Sequence, residues 1–138
     1  MIIAVSSAST STLVSRLAKK MARSAQEEEL GIRPRQFWVL SFLSEHDGVA
    51  QHELGDAFML DANNAVLLLN ELEAAGYIER RRNPQDRRRH LVFLTDAGHE
   101  ALKSSRDAYA AKEDAVLGRL SSRERDTLRA LLTKALEE

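Results

Sequence analysis

The sequence contains no cysteine, and it has only two prolines and six glycines in 138 residues. Without cysteine there are no disulfides, no thiolate metal ligands and no cysteine-based redox sensor. So few prolines and glycines argue against a long linker, and no internal repeat is present. The apolar run at residues 1–5 is too short for a signal sequence or a membrane span. We therefore expect a soluble, cytoplasmic protein that does not enter the membrane.

Motifs for catalysis and for cofactor binding are also missing. The chain has no glycine-rich phosphate loop, no cysteine nucleophile and no recognisable triad or carboxylate pair. Its four histidines do not have a compact metal-ligand spacing. With 43% hydrophobic residues, the chain can bury one real core, so residues 1–138 are expected to form a single domain. These features predict a protein that is not an enzyme and has no cofactor and no metal site.

Positive charge is concentrated in residues 77–95, which carry six arginines against Glu79 and Asp86. This stretch has a net charge of +4, whereas the whole chain has −1, so the remainder carries −5. Two short β-type runs flank a turn at residues 83–86, in which Pro84 presets φ. The pattern predicts a β-hairpin with an arginine-rich tip. A basic finger on an acidic body is typical of a protein that binds a polyanion, although a charged hairpin can also serve only solubility.

Helical patterns precede the hairpin. A first helix is expected from residue 12 until residues 26–29, a second begins at Pro34, and a short third covers residues 51–58. The fourth covers residues 62–75, with the residue before it as its N-cap. A helix, a short turn, a helix and a β-hairpin form the order of a winged helix-turn-helix. The fold class is therefore mainly α with a small β-hairpin wing.

Two more helices follow the hairpin. Thr95 is expected to cap a long helix that continues to about Leu120, and Ser121 with Glu124 forms a capping box for the last helix. The helices at both chain ends, within residues 12–31 and 99–138, carry apolar stripes that the winged core does not need. A symmetric homodimer is the simplest way to bury them.

The chain resembles the MarR family of bacterial transcriptional regulators. The resemblance is strongest in residues 72–80, 83–89 and 91–98. The wing motif of the family, Asp-x-Arg, falls on Asp86 and Arg88, and its Leu-Thr-x-x-Gly motif falls on Leu94, Thr95 and Gly98. The resemblance implies dimerisation helices at 12–31 and 99–138 and a DNA-binding lobe at 33–98. It also implies a homodimer on a pseudo-palindromic operator, regulated by a small ligand between the dimer region and that lobe.

The chain departs from the family pattern at several positions. Val66 and Leu67 stand where the family often has polar or basic residues, and Arg33 and Ala50 replace the usual Ser or Thr before two helices. An apolar side chain can contact a thymine methyl, and an asparagine can pair bidentately with adenine. Because the fourth helix brings no positive charge, affinity for double-stranded DNA must come mostly from the wing and from helix ends.

The candidate DNA contacts lie on the fourth helix, on the wing and at the starts of two shorter helices. They are Asp61, Ala62, Asn63, Asn64, Val66, Leu67, Asn70, Arg80, Arg81, Arg82, Asp86, Arg87, Arg88, Arg89, Arg35 and His52. Arg88 is predicted to enter the minor groove, with Asp86 holding its guanidinium in a bidentate pair. Alternatively, Asp86 only completes the turn, and Arg35 and His52 are ordinary exposed residues.

Four aromatic residues could line a pocket for a small aromatic or phenolic ligand: Trp38, Phe42, Phe58 and Tyr109. Packing in the core or at the dimer contact is the alternative role for them. The sequence thus favours a sequence-specific DNA-binding regulator that acts as a repressor. The competing hypothesis is a winged-helix assembly module whose basic hairpin docks on an acidic protein partner.

Overall fold

A computed structural model describes residues 8–24, 31–46 and 48–137. This part of the chain contains six helices and three strands. They are α1 (Thr10–Ser24), α2 (Pro34–Glu45), β1 (Val49–Ala50), α3 (Gln51–Ala57), α4 (Ala62–Ala74), β2 (Ile78–Asn83), β3 (Asp86–Leu94), α5 (Asp96–Val116) and α6 (Ser122–Leu136). The predicted class, mainly helical with a small β wing, is confirmed. The expected end of the first helix at residues 26–29 lies outside the described residues.

The chain divides into two compact units. One comprises Gln26–Asp107, and the other combines Met1–Ala25 with Ala108–Glu138. The larger unit contains the helix pair and the sheet, and most of the fully buried side chains belong to it. Within the described part of the chain, no helix is both long and apolar enough to cross a membrane.

Helix α4 has the termini that the sequence predicts. The Asp61 carboxylate accepts a hydrogen bond from the Asn64 backbone N–H at 2.8 Å and so caps the helix N-terminus. At the other end Gly76 has a φ of 81°, a left-handed conformation that suits glycine after a helix. The helix buries one apolar stripe, consisting of Ala65, Leu68, Leu69 and Leu72. Its opposite face is exposed.

Arg33 and Ala50, the N-cap residues of α2 and α3, make other contacts in place of side-chain caps. Arg33 precedes α2, and its guanidinium forms an ion pair with Glu71 of α4. Its backbone N–H donates to the Gln36 carboxamide at 3.1 Å, which satisfies one group at this helix start. Ala50 precedes α3 and is at the same time the second residue of β1. The starts of both helices agree with the prediction although neither residue caps in the usual way.

The sheet has one strand more than predicted. Its strand order is β1-β3-β2, and both pairings are antiparallel. In the added pairing, Val49 lies opposite Val92, and both side chains are buried. A strand of two residues has too few positions to show the alternation that identifies strands in a sequence. The predicted hairpin is thus confirmed as β2 and β3, and β1 adds a third strand that was not predicted.

The hairpin strands are longer than the β-type runs suggested. Asn83 lies opposite Asp86, so only Pro84 and Gln85 form the turn. Neither turn residue has a positive φ, which excludes the primed turns that usually join two-residue hairpins. A shift in register between Arg82 and Asn83 lies directly beside the turn. Such a bulge increases the local twist, which allows an ordinary turn to close the hairpin.

The smaller unit contains α1, the end of α5 and all of α6. The predicted capping box is confirmed, because the backbone N–H of Ser121 donates to the Glu124 carboxylate at 2.8 Å and the Ser121 hydroxyl accepts from the N–H of Glu124 at 3.1 Å. Helix α5 ends at Val116, earlier than the predicted Leu120, and a turn follows it. Burial raises the pKa of Tyr109 to about 12.

The close packing around Gly98 explains why the Leu-Thr-x-x-Gly motif has a glycine at this position. A Cβ atom at this position would lie 2.1 Å from the Tyr77 carbonyl oxygen and 2.6 Å from Leu94 Cδ1. The same carbonyl accepts a hydrogen bond from the Thr95 backbone N–H at 3.1 Å, so it is held in place. In an open helix, alanine in place of glycine adds about 1 kcal/mol of stability. At Gly98 the close approach of the backbone should reverse that sign.

We expect Gly98→Ala to lower the free energy of unfolding by about 2–3 kcal/mol, the cost of overpacking a closely packed site. Urea denaturation at 25 °C measures the effect. Gly55→Ala in α3 is the matched control, because its Cβ would only meet ordinary neighbours at 3.6 and 3.7 Å. Equal stability of the two variants would contradict this explanation.

Candidate nucleic-acid interface

The exposed face of α4 is a short stripe of two asparagines and two apolar residues. Asn63, Val66, Leu67 and Asn70 follow the spacing of one helix face, opposite the buried stripe. Val66 is 39% exposed and Leu67 is 60% exposed. Large apolar side chains this exposed on a helix suggest a contact surface. Asp61 and Asn64 lie at its N-terminus, where the Asn64 amide donates to the second Asp61 carboxylate oxygen at 2.9 Å.

The wing is the hairpin of residues 78–94, and at its tip the Asp86 carboxylate makes contacts with two arginines. One oxygen of its carboxylate accepts from the Arg88 backbone N–H at 3.1 Å, and the other lies 3.4 Å from Arg89 Nε. The sequence instead predicted a bidentate pair between Asp86 and the Arg88 guanidinium. The difference arises because a short Asp side chain bonds easily to the backbone two residues further on, and this leaves one oxygen for Arg89. The guanidinium of Arg88 is consequently not committed to Asp86.

Arg80 is held between α4 and β2. Its Nε and Nη2 donate to the two carboxylate oxygens of Glu73 at 3.1 and 3.0 Å, and Nη2 also donates to Asn70 Oδ1 at 2.7 Å. The Arg80 hydrogen bond lowers the pKa of Glu73, and the same contact raises the pKa of Arg80. Its side chain is only 20% exposed. Arg80 was expected among the phosphate contacts, but here its charge is compensated by Glu73.

Arg81 has a local role as well. It forms an ion pair with Glu79 at 3.1 Å, and its guanidinium lies 4.5 Å from the centre of the Phe93 ring. Both contacts hold the side chain along the sheet. The remaining arginines of the wing, Arg82, Arg87, Arg88 and Arg89, are exposed. They therefore supply most of the positive charge available at the tip.

A cleft of about 320 Å³ lies between the helix pair and the wing. Five of the residues that the sequence analysis selected line this cleft: His52, Ala62, Val66, Arg88 and Arg89. They come from α3, from the start of α4 and from β3, and the fold brings them together. Arg35 is exposed in the first turn of α2 and does not line the cleft.

Gln51 is a residue that sequence reasoning missed. It also lines the cleft, and its side-chain oxygen is buried without a hydrogen-bond partner in the described part of the chain. As the first residue of a short helix it carries no sequence signal that would identify it. Its unsatisfied oxygen is available to a donor that enters the cleft.

The four aromatic residues predicted to line a ligand pocket are not brought together as one cluster within the larger unit. Phe42 and Phe58 meet edge to face, with ring centroids 5.5 Å apart. Phe42 also stacks on His46 at 4.2 Å, a contact that the sequence analysis did not expect. Trp38 is 41% exposed on α2. Tyr109 belongs to the other unit.

A helix pair followed by a basic two-stranded wing, with β1 as the third strand of the same sheet, defines a winged helix-turn-helix protein. A model of the MarR family matches residues 30–89. A proposed transcriptional regulatory protein for the hcr operon of Thauera aromatica is 32% identical over 116 residues, covering 84% of this chain and 69% of that protein. YkoM, an uncharacterized HTH-type transcriptional regulator of Bacillus subtilis, is 31% identical over 108 residues, covering 78% and 70%. The chain belongs to the MarR family of transcriptional regulators.

Solved structures agree with this assignment. A mutant MarR from E. coli in complex with operator DNA has a TM-score of 0.76 and 27% sequence identity to this chain. The match covers 92% of this chain and 93% of that one. Neither of the two regulator relatives has a name that describes an enzyme.

Proposed function

We propose that this chain is a repressor that binds a pseudo-palindromic DNA operator as a homodimer. The observation that carries the proposal is the shared cleft, in which Val66 of α4 and Arg88 of the wing face the same space. A winged helix-turn-helix needs its reading helix and its wing to reach one duplex together. The operator complex of the similar MarR mutant from E. coli supports the same mode of binding.

In this proposal α4 is the recognition helix, and its exposed stripe lies in the major groove. Val66 and Leu67 contact thymine methyl groups, and Asn63 near the helix start pairs with a base edge. The helix adds no positive charge, because Asp61, Glu71 and Glu73 are its charged neighbours or members. Affinity therefore comes from the exposed wing arginines, with Arg88 in the minor groove and Arg82, Arg87 and Arg89 on phosphates.

The homodimer is formed in the proposal by the smaller unit. Five large apolar side chains of α1 and α6 are exposed in the single chain: Leu13, Val14, Leu131, Leu132 and Leu136. A second copy of the same unit would cover them and would place two recognition helices on two half-sites. The proposed dimerisation segments remain 12–31 and 99–138, of which residues 26–31 and 99–107 belong to the larger unit, and the proposed DNA-binding lobe is 33–98.

We include in the proposal a small aromatic or phenolic ligand that releases the operator. Trp38, Phe42 and Phe58 are the candidate contacts in the larger unit and Tyr109 is the candidate in the smaller unit. The exposed Trp38 indole and the edge-to-face pair of phenylalanines offer the type of surface that an aromatic ring prefers. The chain has only one tryptophan, so its fluorescence reports directly on such binding.

DNase footprinting of the purified protein on the DNA around its own gene tests the function. We expect protection of two half-sites about one helical turn apart, ~34–36 Å, and loss of protection when benzoate or 4-hydroxybenzoate releases the dimer. Titration with nonspecific duplex at low and high salt is the companion measurement. If the protein does not bind duplex DNA even at low salt, DNA binding is refuted. The alternative of an assembly module with an acidic protein partner would then be favoured.

A further inference from the structure

Three side chains at the junction of α4 and β2 form a continuous chain of hydrogen bonds. Glu73 accepts two hydrogen bonds from Arg80, and Arg80 Nη2 donates another to Asn70 Oδ1 at 2.7 Å. The Arg80 side chain is 20% exposed and the Glu73 side chain is 43% exposed, so the arginine is the most covered member of this chain of hydrogen bonds. Asn70 itself is exposed. One end of its carboxamide is therefore fixed from inside the protein while the other end faces outward.

The chemistry of arginine determines which end that is. A guanidinium has only donors, so the group that faces it must be the carboxamide oxygen of Asn70 and not the NH₂. Exchanging the two ends would place donors against donors and would break the contact. The Asn70 NH₂ consequently points away from Arg80, on the same exposed stripe as Val66 and Leu67.

Asn64 has the opposite polarity. Its NH₂ donates to the Asp61 carboxylate at 2.9 Å, so the NH₂ is the end held by the helix cap and the carboxamide oxygen is the opposite end. The recognition helix thus carries two asparagines whose ends are set differently by neighbouring charges. Identical residue types in one helix are not equivalent in what they offer a ligand.

We propose that Asn70, oriented by Arg80, is a specificity residue that selects guanine in the operator. The inference rests on the proposed DNA-binding function. A bidentate pair with adenine needs the amide oxygen as acceptor for N6 and the NH₂ as donor to N7. Because Arg80 holds the carboxamide oxygen on the protein side, the end of Asn70 that faces outward is the NH₂, which has two donor hydrogens. Guanine presents two neighbouring acceptors, N7 and O6, and is the base edge that matches two donor hydrogens.

Arg80 is the positioning residue in this scheme, and it does not touch the base. Its ion pair with Glu73 fixes the guanidinium before DNA arrives, so the Asn70 rotamer is set in advance. A side chain that is already ordered loses less freedom on binding. This role replaces the phosphate contact that the sequence analysis expected of Arg80.

Selection of binding sites from a random duplex pool tests the inference, with sequencing of the enriched duplexes. The position read by Asn70 is the one whose preference disappears in Asn70→Ala. We expect the wild-type protein to prefer guanine there by about tenfold over adenine. Asn70→Asp keeps the bond to Arg80 but turns an oxygen outward, so it should lose that preference and select cytosine, whose N4 amino group donates.

Arg80→Met is the second variant, because it frees the Asn70 oxygen. It should shift the preference at this position from guanine towards adenine by about tenfold. Arg82→Ala, an exposed neighbour in the wing, is the control and should weaken all sequences alike. Thermal unfolding checks that each variant is folded. If Arg80→Met does not fold, the base preference of Asn70→Asp tests the inference by itself.

The outcomes separate this inference from the proposed function. If the wild-type protein enriches no sequence, the DNA-binding function itself fails. If it enriches a site but Asn70→Ala selects the same bases at every position, Asn70 reads no base and the inference is overturned. Adenine as the wild-type preference, unchanged in Arg80→Met, would also overturn it.

Discussion

Arg88→Ala is expected to weaken operator binding by about 100-fold without unfolding the protein. Hydrogen bonds to charged groups contribute about 1.5–3 kcal/mol each. A dimer loses two copies, and about 3 kcal/mol corresponds to roughly two powers of ten in the dissociation constant. The loss of folding stability should be small, because the Arg88 side chain is exposed and its backbone N–H, which bonds to Asp86, remains in the variant.

Fluorescence anisotropy with a labelled operator measures this effect over a series of salt concentrations. Each phosphate contact adds about −0.9 to the slope of log K against log salt. Removing Arg88 from both wings should therefore make the slope less steep by about 2 if the side chain neutralises backbone charge. A smaller change in slope with the same loss of affinity would indicate that the guanidinium contacts bases in the minor groove.

Arg119→Ala is the matched control. Arg119 is exposed in the connection between α5 and α6, so the variant loses the same charge from the smaller unit. If it weakened binding as much as Arg88→Ala, net charge and not the wing would explain the loss. Wild-type affinity for Arg88→Ala would refute the assignment of the minor-groove contact.

Most of the helical framework was predictable because its signals are local. The Asp61 cap, the Gly76 terminus and the Ser121 capping box each depend on residues within one helical turn. Pro84 similarly marked the turn of the wing. Features of this kind are decided by neighbours along the chain, so a sequence displays them directly.

Contacts between distant residues were not predictable in the same way. Strand β1 exists because Val49 meets Val92 across 43 positions of the chain, and two residues carry no pattern of their own. The engagement of Arg80 by Glu73 is also nonlocal, although both residues were visible as charges. In the candidate site, the sequence identified which residues are basic, but only the fold showed which arginines are already paired.

Those paired arginines change how the charge of the wing is counted. Six arginines and two acidic residues give the stretch its net charge of +4, but Arg80 and Arg81 form ion pairs with Glu73 and Glu79, and at the tip Arg89 lies 3.4 Å from Asp86. The charge that can meet a phosphate is therefore concentrated at the tip, beside the cleft. This concentration is consistent with a wing whose tip contacts DNA phosphates, while Arg80 at its base is bonded to Glu73 and Asn70 of α4.

Leu136→Asp is expected to weaken the homodimer by at least about 100-fold and to abolish cooperative operator binding. Leu136 is 76% exposed in the single chain and lines an apolar groove of about 760 Å³, together with Leu13, Leu17, Leu128 and Leu132. Burying a leucine contributes about 1.5–3 kcal/mol. Two copies are lost per dimer, and a buried aspartate adds a further cost.

The exposure of Leu136 makes this test selective. In an isolated chain, a charge at so exposed a position should cost little, since surface substitutions usually change stability by less than 0.5 kcal/mol. A large effect can therefore arise only if a second copy covers the residue. Sedimentation velocity over a range of protein concentrations measures the dimer directly. Anisotropy on full and half operators shows whether the variant binds both at the affinity of a single half-site.

Met59→Glu is the control, because Met59 is 89% exposed in the connection between α3 and α4 and belongs to the larger unit. It introduces a charge at an apolar position that is even more exposed than Leu136, and the dimer should be unaffected. A Leu136→Asp protein that sediments as a dimer at wild-type concentrations would exclude the end of α6 from the dimer contact. The exposed apolar stripes of α1 and α6 would then need another partner, and the spacing of two half-sites could no longer be attributed to this unit.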